Sequence, residues 1–239
     1  MSQYSIRTAA LILAGGTMSF TFEHIDLDTY PRRAHFDAFR EMKLLYSVTV
    51  TIDVTELRSE LRKRGLRAYP AQIWMLSDVV NRIPEFRMSV DPEGRLGLFN
   101  RLEPLYTVFN DELKTFSSVW TAFHPDFATF HDAVVSDIAR FNTGEYVPQP
   151  DVPINMLNVS SIPWLDFTAF NMNMPTDYTL PIFTIGRYVE EGVRTMMPLA
   201  IQVHHAVCDG YHLGLFIEQL RALAADCTAW LPVVDTERP

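Results

Sequence analysis

The strongest constraint in this sequence lies near its C-terminus, where two histidines and an Asp-Gly pair separate an apolar run from an amphipathic one. The motif reads H-H-x-x-x-D-G and extends from His204 to Gly210. Residues 197–203 before it are mostly apolar, as in a buried strand, and residues 213–225 after it carry apolar side chains at helical spacing. A strand-to-helix turn of this kind places polar side chains at the edge of a core, where a substrate can reach them.

The chemistry of histidine decides what this motif can do. Imidazole titrates near neutral pH, so a histidine at the turn suits a general base that takes a proton from a hydroxyl or a thiol. Taken alone, the His204-His205 pair could equally be a structural pair or part of a metal site. The fixed spacing to Asp209 and the strand–turn–helix context favour catalysis.

Composition excludes several classes of protein. The chain has 239 residues, 48% of them hydrophobic, which is enough for one domain with a substantial core. A net charge of −9 without a basic stripe argues against a nucleic-acid binder. Cys208 and Cys227 are too few for a disulfide framework or a zinc site, so we expect reduced thiols and no metal. Cys208 could be proposed as a nucleophile, but a small buried residue behind the turn is the favoured interpretation.

The N-terminal segment differs from the rest of the chain. Residues 9–16 form an apolar run that is too short to span a bilayer but has the length of a signal-peptide core. Translation could also start at Met18, or the segment could be a loosely ordered tail. We predict a poorly ordered extension over residues 1–17 and a single domain over residues 18–239, with no membrane association.

The chain then alternates predicted strands and helices. Residues 47–54 alternate apolar and polar side chains like a strand, and Thr55 can cap a helix that ends at Arg64, just before a glycine. Pro70 can open a second helix, and residues 127–141 form another. This order of elements predicts an α/β domain with a mixed sheet, but it does not predict the order of the strands.

Eight short motifs occur in a fixed order along most of the chain, from about Phe20 to about Leu223. They are residues 30–36, 69–70, 84–88, 106–109, 115–117, 158–164, 170–173 and the histidine motif itself. With these motifs in this order, the chain resembles the trimeric chloramphenicol O-acetyltransferases. Eight ordered motifs are more specific than the histidine motif alone, which lipoyl acyltransferases and peptide-synthetase condensation domains share.

The resemblance implies a fold, an assembly and a reaction. The fold would be a two-layer sandwich with a large mixed β-sheet and helices packed on one face, the CoA-dependent acyltransferase fold. The reaction would move an acetyl group from acetyl-CoA to the primary hydroxyl of chloramphenicol and confer resistance to that antibiotic. The family forms homotrimers with active sites at the subunit interfaces, and a cytoplasmic location would give access to acetyl-CoA.

The resemblance also implies roles for four residues. His205 aligns with the general base, and its other ring nitrogen would be held by a backbone carbonyl. Asp209 would pair with Arg32 and support the site structurally, rather than orient the imidazole. Ser160 would donate its hydroxyl to the oxyanion of the tetrahedral intermediate. Because successive side chains of a strand face opposite sides, we expect only one of Ser160 and Ser161 to face the site.

Two further sets of residues align with family binding sites. Those of the apolar acceptor pocket are Phe39, Tyr46, Thr107, Phe116, Phe170, Met172, Met174 and Ile182. Those near acetyl-CoA are Arg67, Tyr69, Trp164, Thr184, Arg187 and Tyr188. Two segments at the acceptor pocket depart from the family pattern, because residues 43–46 are about one residue shorter and residues 172–177 about two residues shorter.

Three functions remain open at this point. The first is acetylation of chloramphenicol, and the second is acetylation of a different hydroxyl acceptor on the same fold, which the two shortened segments motivate. The third is a protein that binds and sequesters the drug without catalysis. The combination of His205, Asp209, Ser160 and Arg32 argues against the third, because binding alone requires neither a base nor an oxyanion donor.

Overall fold

A computed structural model describes residues 6–9, 20–144, 149, 151–174 and 177–233, with backbone only for residues 6–9. The strands are β1 (Ile6–Ala9), β2 (Phe22–Ile25), β3 (Leu45–Asp53), β4 (Met88–Val90), β5 (Leu96–Phe99), β6 (Glu103–Asn110), β7 (Thr115–Trp120), β8 (Met156–Ile162), β9 (Ile182–Gly186), β10 (Val189–Glu191) and β11 (Arg194–His204). The helices are α1 (Arg33–Glu41), α2 (Thr55–Lys63), α3 (Ala68–Arg82), α4 (Phe127–Phe141) and α5 (Gly210–Ala225), with 3₁₀ turns at Pro84–Arg87 and Cys227–Ala229.

Seven strands form a large mixed sheet. Its order is β10-β11-β9-β8-β6-β7, and β3 pairs with the other side of β11. The β6–β8 and β8–β9 pairs are parallel, whereas the other pairs are antiparallel. A smaller sheet has the order β1-β2-β5-β4. The mixed α/β fold predicted from the sequence is therefore confirmed.

The helices form a layer against the large sheet. Helix α3 contacts β6 and also α4 and α5, while α2 contacts β11 and α5. The apolar face of α3 is buried, because Ile73, Leu76 and Val80 are at most 1% exposed. This layer holds the N-terminal ends of α3 and α5 in place, and candidate site residues lie at each of these two N-terminal ends.

The helix starts differ from the sequence predictions. Thr55 is the first residue of α2 and not its cap, because its hydroxyl donates to Oδ1 of Asp53 at 2.6 Å and accepts the backbone N–H of Thr195 at 2.8 Å. Helix α3 starts two residues before Pro70, which lies in the first turn, where its missing N–H needs no partner. Residues 127–141 form a helix as predicted.

The predicted extension over residues 1–17 lies largely outside the described residues. Its described part, Ile6–Ala9, pairs antiparallel with Phe22–Ile25. The boundary at Met18 also lies outside the described residues and stays a prediction.

An aromatic stack joins α5 to the sheet. The Phe216 ring stacks between those of Phe86 and Phe183, with centroid distances of 5.0 and 5.1 Å, and Phe216 is fully buried. We expect Phe216→Ala to lower the free energy of unfolding by about 3–5 kcal/mol, because it removes a large buried side chain and leaves a cavity. Denaturant unfolding at fixed chain concentration measures the change. Tyr211→Ala on the same helix, at a ring that is 71% exposed, is the control, and an equal loss there would contradict the prediction.

Candidate functional site

The histidine motif forms the predicted strand–turn–helix. Strand β11 ends at His204, whose carbonyl accepts the backbone N–H groups of Val207 and Cys208 at 3.2 and 3.1 Å. Nδ1 of His204 accepts the backbone N–H of Ala206 at 3.1 Å, and His204 is 1% exposed. The first histidine therefore builds the turn and does not reach a substrate.

The second histidine, His205, is held between two aromatic rings. Its imidazole stacks on Phe39 with centroids 4.0 Å apart and planes 15° apart, and Tyr46 lies at 4.9 Å. Its backbone N–H donates to the carbonyl of Leu44 at 2.8 Å. Nδ1 is buried and has no hydrogen-bond partner among the described residues, so the expected backbone carbonyl is not seen there. Stacking on Phe39 is the contact that fixes the ring plane.

Asp209 and Arg32 pair as the resemblance implied. Oδ2 of Asp209 lies 3.0 Å from Nη2 of Arg32, and Nη1 of Arg32 donates to the carbonyl of Val207 at 3.1 Å. Burial alone would raise the pKa of Asp209, but the charges of His212 and Arg32 and two backbone N–H groups lower it below its usual value. The carboxylate is therefore charged at neutral pH, and Arg32 ties two points of the turn, Val207 and Asp209, to the start of α1.

His212 is a site residue that the sequence reasoning missed. Asp209 caps α5 by accepting the N–H of Tyr211 at 3.0 Å, and Nδ1 of His212 accepts the N–H of Asp209 at 3.1 Å. The two side chains form a capping box, in which the third helical position normally holds Glu or Gln. The signal was present in the spacing from Asp209 to a polar residue three positions later.

Cys208 occupies the interior of the turn. It is 1% exposed, and Tyr46 donates its hydroxyl to the Cys208 carbonyl at 3.4 Å. Burial, with a smaller contribution from the charge of Asp209, raises the pKa of the Cys208 thiol well above its usual range. The thiol is therefore protonated, which agrees with a small buried residue and not with a nucleophile.

A cavity of about 590 Å³ opens beside the start of α3 and the ends of β8 and β9. Two hydrogen bonds shape its wall: Tyr69 donates to the Thr107 carbonyl at 2.9 Å, and Gln72 donates to the Tyr188 hydroxyl at 2.6 Å. Burial raises the pKa of Tyr188 to about 12, so its hydroxyl stays protonated. The predicted site residues that line the cavity are Tyr69, Thr107, Phe116, Ser160, Trp164, Arg187 and Tyr188.

Both serines of β8 border this cavity. Residues 160–164 all line it, so the end of the strand runs along its wall. The backbone N–H of Ser161 donates to the Thr107 hydroxyl at 3.3 Å. Because the backbone of either residue can form part of this wall, the expectation that only one of the two serine side chains faces the site stays a prediction.

Four of the predicted binding residues lie elsewhere. Thr184 and Ile182 are 2% and 5% exposed within β9, where neighbouring strands cover both of its edges, and neither lines a described cavity. Phe170 contacts the ring of Phe167 at 5.3 Å. Arg67 is exposed at the residue before α3, next to the cavity but not in its lining. Both Thr184 and Ile182 are buried within the subunit, and their binding roles stay predictions.

A second cavity, of about 500 Å³, lies where the two shortened segments meet. Residues 43–47 and 171–174 line it together with Gln202, and they include the predicted acceptor residues Tyr46, Met172 and Met174. Oε1 of Gln202 accepts the Ser47 hydroxyl at 3.2 Å and the Met172 N–H at 2.8 Å. Gln202 thus joins one shortened segment, at Met172, and the residue that follows the other, Ser47, to β11.

His205 and Ser160 lie far apart within one chain. The sheet register places Ser160 opposite Thr184, and Thr184 opposite Ala200. With about 3.3 Å per residue along a strand and about 4.8 Å between strands, Ser160 lies about 16 Å from His204, the residue before His205. The His205 and Ser160 side chains of one chain therefore cannot both reach the same reacting carbon.

None of the helices in the described ranges has the length and the apolar character of a membrane span. No group of three or more His, Cys, Asp or Glu side chains suited to a metal ion occurs in the part of the chain that the structure describes.

Comparisons with known proteins agree on one family. The family model for chloramphenicol acetyltransferase matches residues 19–221. Chloramphenicol acetyltransferases from Bacillus pumilus and Streptomyces acrimycini are 47% and 42% identical, over 88% and 87% of this chain and 96% of each relative. A solved chloramphenicol acetyltransferase has a TM-score of 0.76 at 23% identity and covers 85% of this chain and 100% of its own.

A wider group of structures shares the fold. The dihydrolipoamide acetyltransferase of Azotobacter vinelandii has a TM-score of 0.62 at 17% identity, over 83% of this chain and 88% of its own. At that identity the likeness concerns the fold alone, whereas the family model and the relatives that share more than 40% of their residues cover the turn, the cavity and the paired Arg32 and Asp209. The chain belongs to the chloramphenicol acetyltransferase family.

Proposed function

We propose that this protein transfers an acetyl group from acetyl-CoA to the primary hydroxyl of chloramphenicol, with His205 as general base. Membership of the family supports the reaction and both substrates. The observation that carries the mechanism is the environment of His205, whose ring is stacked on Phe39 at the edge of the core while its neighbour His204 is fully committed to the turn.

The proton transfer and the acyl transfer are coupled in this mechanism. His205 accepts the proton of the acceptor hydroxyl as that oxygen attacks the thioester carbonyl carbon. The tetrahedral intermediate carries an oxyanion, to which the Ser160 hydroxyl donates. Collapse of the intermediate breaks the carbon–sulfur bond, and the departing CoA sulfur takes the proton from His205, which returns to its neutral form.

The 590 Å³ cavity is suited to the donor. It is lined mostly by apolar groups and aromatic rings, with Ser160 in its wall and Arg187 at its edge. Arg187 is about half exposed and lies 2.5 Å from Asp166, so a phosphate group would have to compete with that carboxylate. A guanidinium can bind phosphate through two parallel hydrogen bonds, which favours this exchange in the presence of acetyl-CoA.

The separation of His205 from Ser160 favours a site shared between subunits of a homotrimer. Exposed apolar side chains flank both places: Leu44, whose carbonyl accepts the His205 N–H, and Phe116 and Trp164, which line the cavity. Clusters of this kind on a soluble chain usually mark interaction surfaces. In the proposed assembly, His205 of one subunit faces the Ser160 cavity of the next.

Hybrid trimers test this arrangement. His205→Ala and Ser160→Ala chains are each expected to form trimers with little activity. When equal amounts are unfolded together and refolded, about one quarter of the sites will combine a wild-type His205 with a wild-type Ser160 from the neighbouring chain, because the chains mix at random in a closed ring. Acetyl transfer should return to about that fraction. A mixture as inactive as its parents, or a monomer in light scattering, would exclude the shared site.

A different hydroxyl acceptor is the second candidate function. The two shortened segments form most of the second cavity, where Tyr46, Met172 and Met174 would contact the acceptor. Release of CoA thiol with chloramphenicol and with a panel of other alcohols separates the two candidate functions, because the chemistry at His205 is the same for both and only the acceptor differs.

Acetylation of chloramphenicol in the cytoplasm, where acetyl-CoA is made, would confer resistance to the antibiotic.

A further inference from the structure

We propose that His212 is a positioning residue for acetyl transfer: it holds the Asp209 end of the turn, and through the Asp209–Arg32 pair it fixes the imidazole of His205. The inference rests on the proposed function, since it takes His205 as the base. His212 lines neither cavity described above and is 7% exposed. Its contribution would therefore pass through its hydrogen bonds and not through contact with a substrate.

The first link is the backbone of Asp209. This residue has an extended conformation, with φ −124° and ψ −176°, and its N–H donates to Nδ1 of His212 at 3.1 Å. Its Oδ1 accepts the N–H of Tyr211. Because backbone and side chain of Asp209 are both held by α5, its remaining oxygen, Oδ2, points in one direction.

The second link connects that oxygen to the base. Oδ2 contacts Arg32, which immediately precedes α1 and also donates to the Val207 carbonyl inside the turn. Helix α1 carries Phe39, and the Phe39 ring stacks on His205. A shift of the Asp209 carboxylate therefore moves α1 relative to the turn and changes the stack that fixes the imidazole.

The charge state of His212 agrees with this role. Since Nδ1 accepts an N–H, the ring proton of the neutral form is on Nε2, which lies 3.7 Å from Oε1 of Glu85. Burial lowers the pKa of His212, although the charges of Glu85 and Asp209 oppose it, while that of Arg32 lowers it further. A protonated ring would instead donate from Nδ1 to Oδ1 of Asp209, 3.0 Å away, and would give up the Asp209 N–H.

Kinetics of His212 variants test the inference. We expect His212→Leu to lower kcat by about 10²-fold, the size of effect that a displacement of about 1 Å at a reacting group produces. The KM for acetyl-CoA should stay unchanged, because that cavity lies at the other end of the strands. His212→Asn should restore most of kcat, since its Oδ1 takes the place of Nδ1. If His212→Leu does not fold, His212→Ala allows the same comparison without added bulk.

A matched control separates positioning from general destabilisation. His131 is also 7% exposed, and its Nε2 accepts the N–H of Arg67 before α3 at 3.2 Å. His131→Leu should lower thermal stability by a similar amount and leave kcat unchanged. In a double-mutant cycle, the loss from His212→Leu and Asp209→Asn together should be smaller than the sum of the two single losses. Both side chains act on Arg32, His212 through Asp209 and also through its own Nδ1, which lies 3.5 Å from Nη1 of Arg32.

Three outcomes would overturn the inference. They are a fully active His212→Leu, an equal loss of kcat in His131→Leu, and additive effects in the cycle with Asp209→Asn. A wild-type protein that fails to transfer acetyl to any acceptor would instead refute the proposed function. Failure of the His212 inference and failure of the proposed function are distinguishable, because the three outcomes for His212 can be observed only if the wild type is active.

Discussion

His205→Ala is expected to lower the rate of acetyl transfer by at least about 10²–10⁴-fold, because no other described side chain at the turn can accept the proton of the acceptor hydroxyl. His204 is buried and bonded to the backbone, and the Cys208 thiol stays protonated. The measurement is release of CoA thiol from acetyl-CoA, with and without chloramphenicol. The loss should appear in kcat and not in KM, since neither His205 nor Phe39 lines a described cavity.

The adjacent histidine provides the control for this prediction. His204→Asn keeps an acceptor at the place of Nδ1 and can still bond the N–H of Ala206. We expect it to lower stability and to keep most of the activity. If His204→Asn lost as much activity as His205→Ala, the assignment of the base to the second histidine would be wrong.

His205→Ala also separates catalysis from sequestration of the drug. A protein that only binds chloramphenicol would keep its affinity and still protect cells after His205→Ala. An acetyltransferase would lose protection, because the drug would stay unmodified. Growth in the presence of chloramphenicol, compared between wild type and His205→Ala at equal expression, therefore decides between the two functions.

Local sequence patterns predicted the elements that carry the site, and non-local contacts decided the rest. The alternation of residues 47–54 and the helical spacing of residues 213–225 correspond to β3 and α5. Helix α5 nevertheless starts three residues earlier than the apolar pattern, because Asp209 caps it. The strand order could not be predicted, since β3 and β11 pair across more than 140 residues of sequence.

In the candidate site, too, local sequence patterns predicted some features and non-local contacts decided the others. Arg32 and Asp209 are 177 positions apart, so only the family resemblance, and no local pattern, could predict their pairing. The binding roles that the resemblance implies for Thr184 and Ile182 stay predictions, because both side chains are buried within β9 in the single subunit. The resemblance assigned no role to His212, although the capping-box spacing could have indicated one.

Ser160→Ala is expected to lower kcat by about 10²–10³-fold, which corresponds to about 2.7–4 kcal/mol of transition-state stabilisation. The hydroxyl is proposed to bond the oxyanion, which exists only after the acceptor oxygen has attacked, so the KM values of both substrates should change little. Steady-state kinetics with each substrate varied in turn measures kcat and the two KM values separately.

Ser161→Ala is the matched control for the oxyanion assignment. Both serines border the 590 Å³ cavity, and both lose only a hydroxyl on replacement by alanine. Ser161 keeps its backbone bond to Thr107 in either variant, so the strand end should stay in place. A large loss of kcat in Ser161→Ala with little change in Ser160→Ala would move the oxyanion donor by one residue. Equal losses in both would mean that the strand end itself, and not one hydroxyl, limits the reaction.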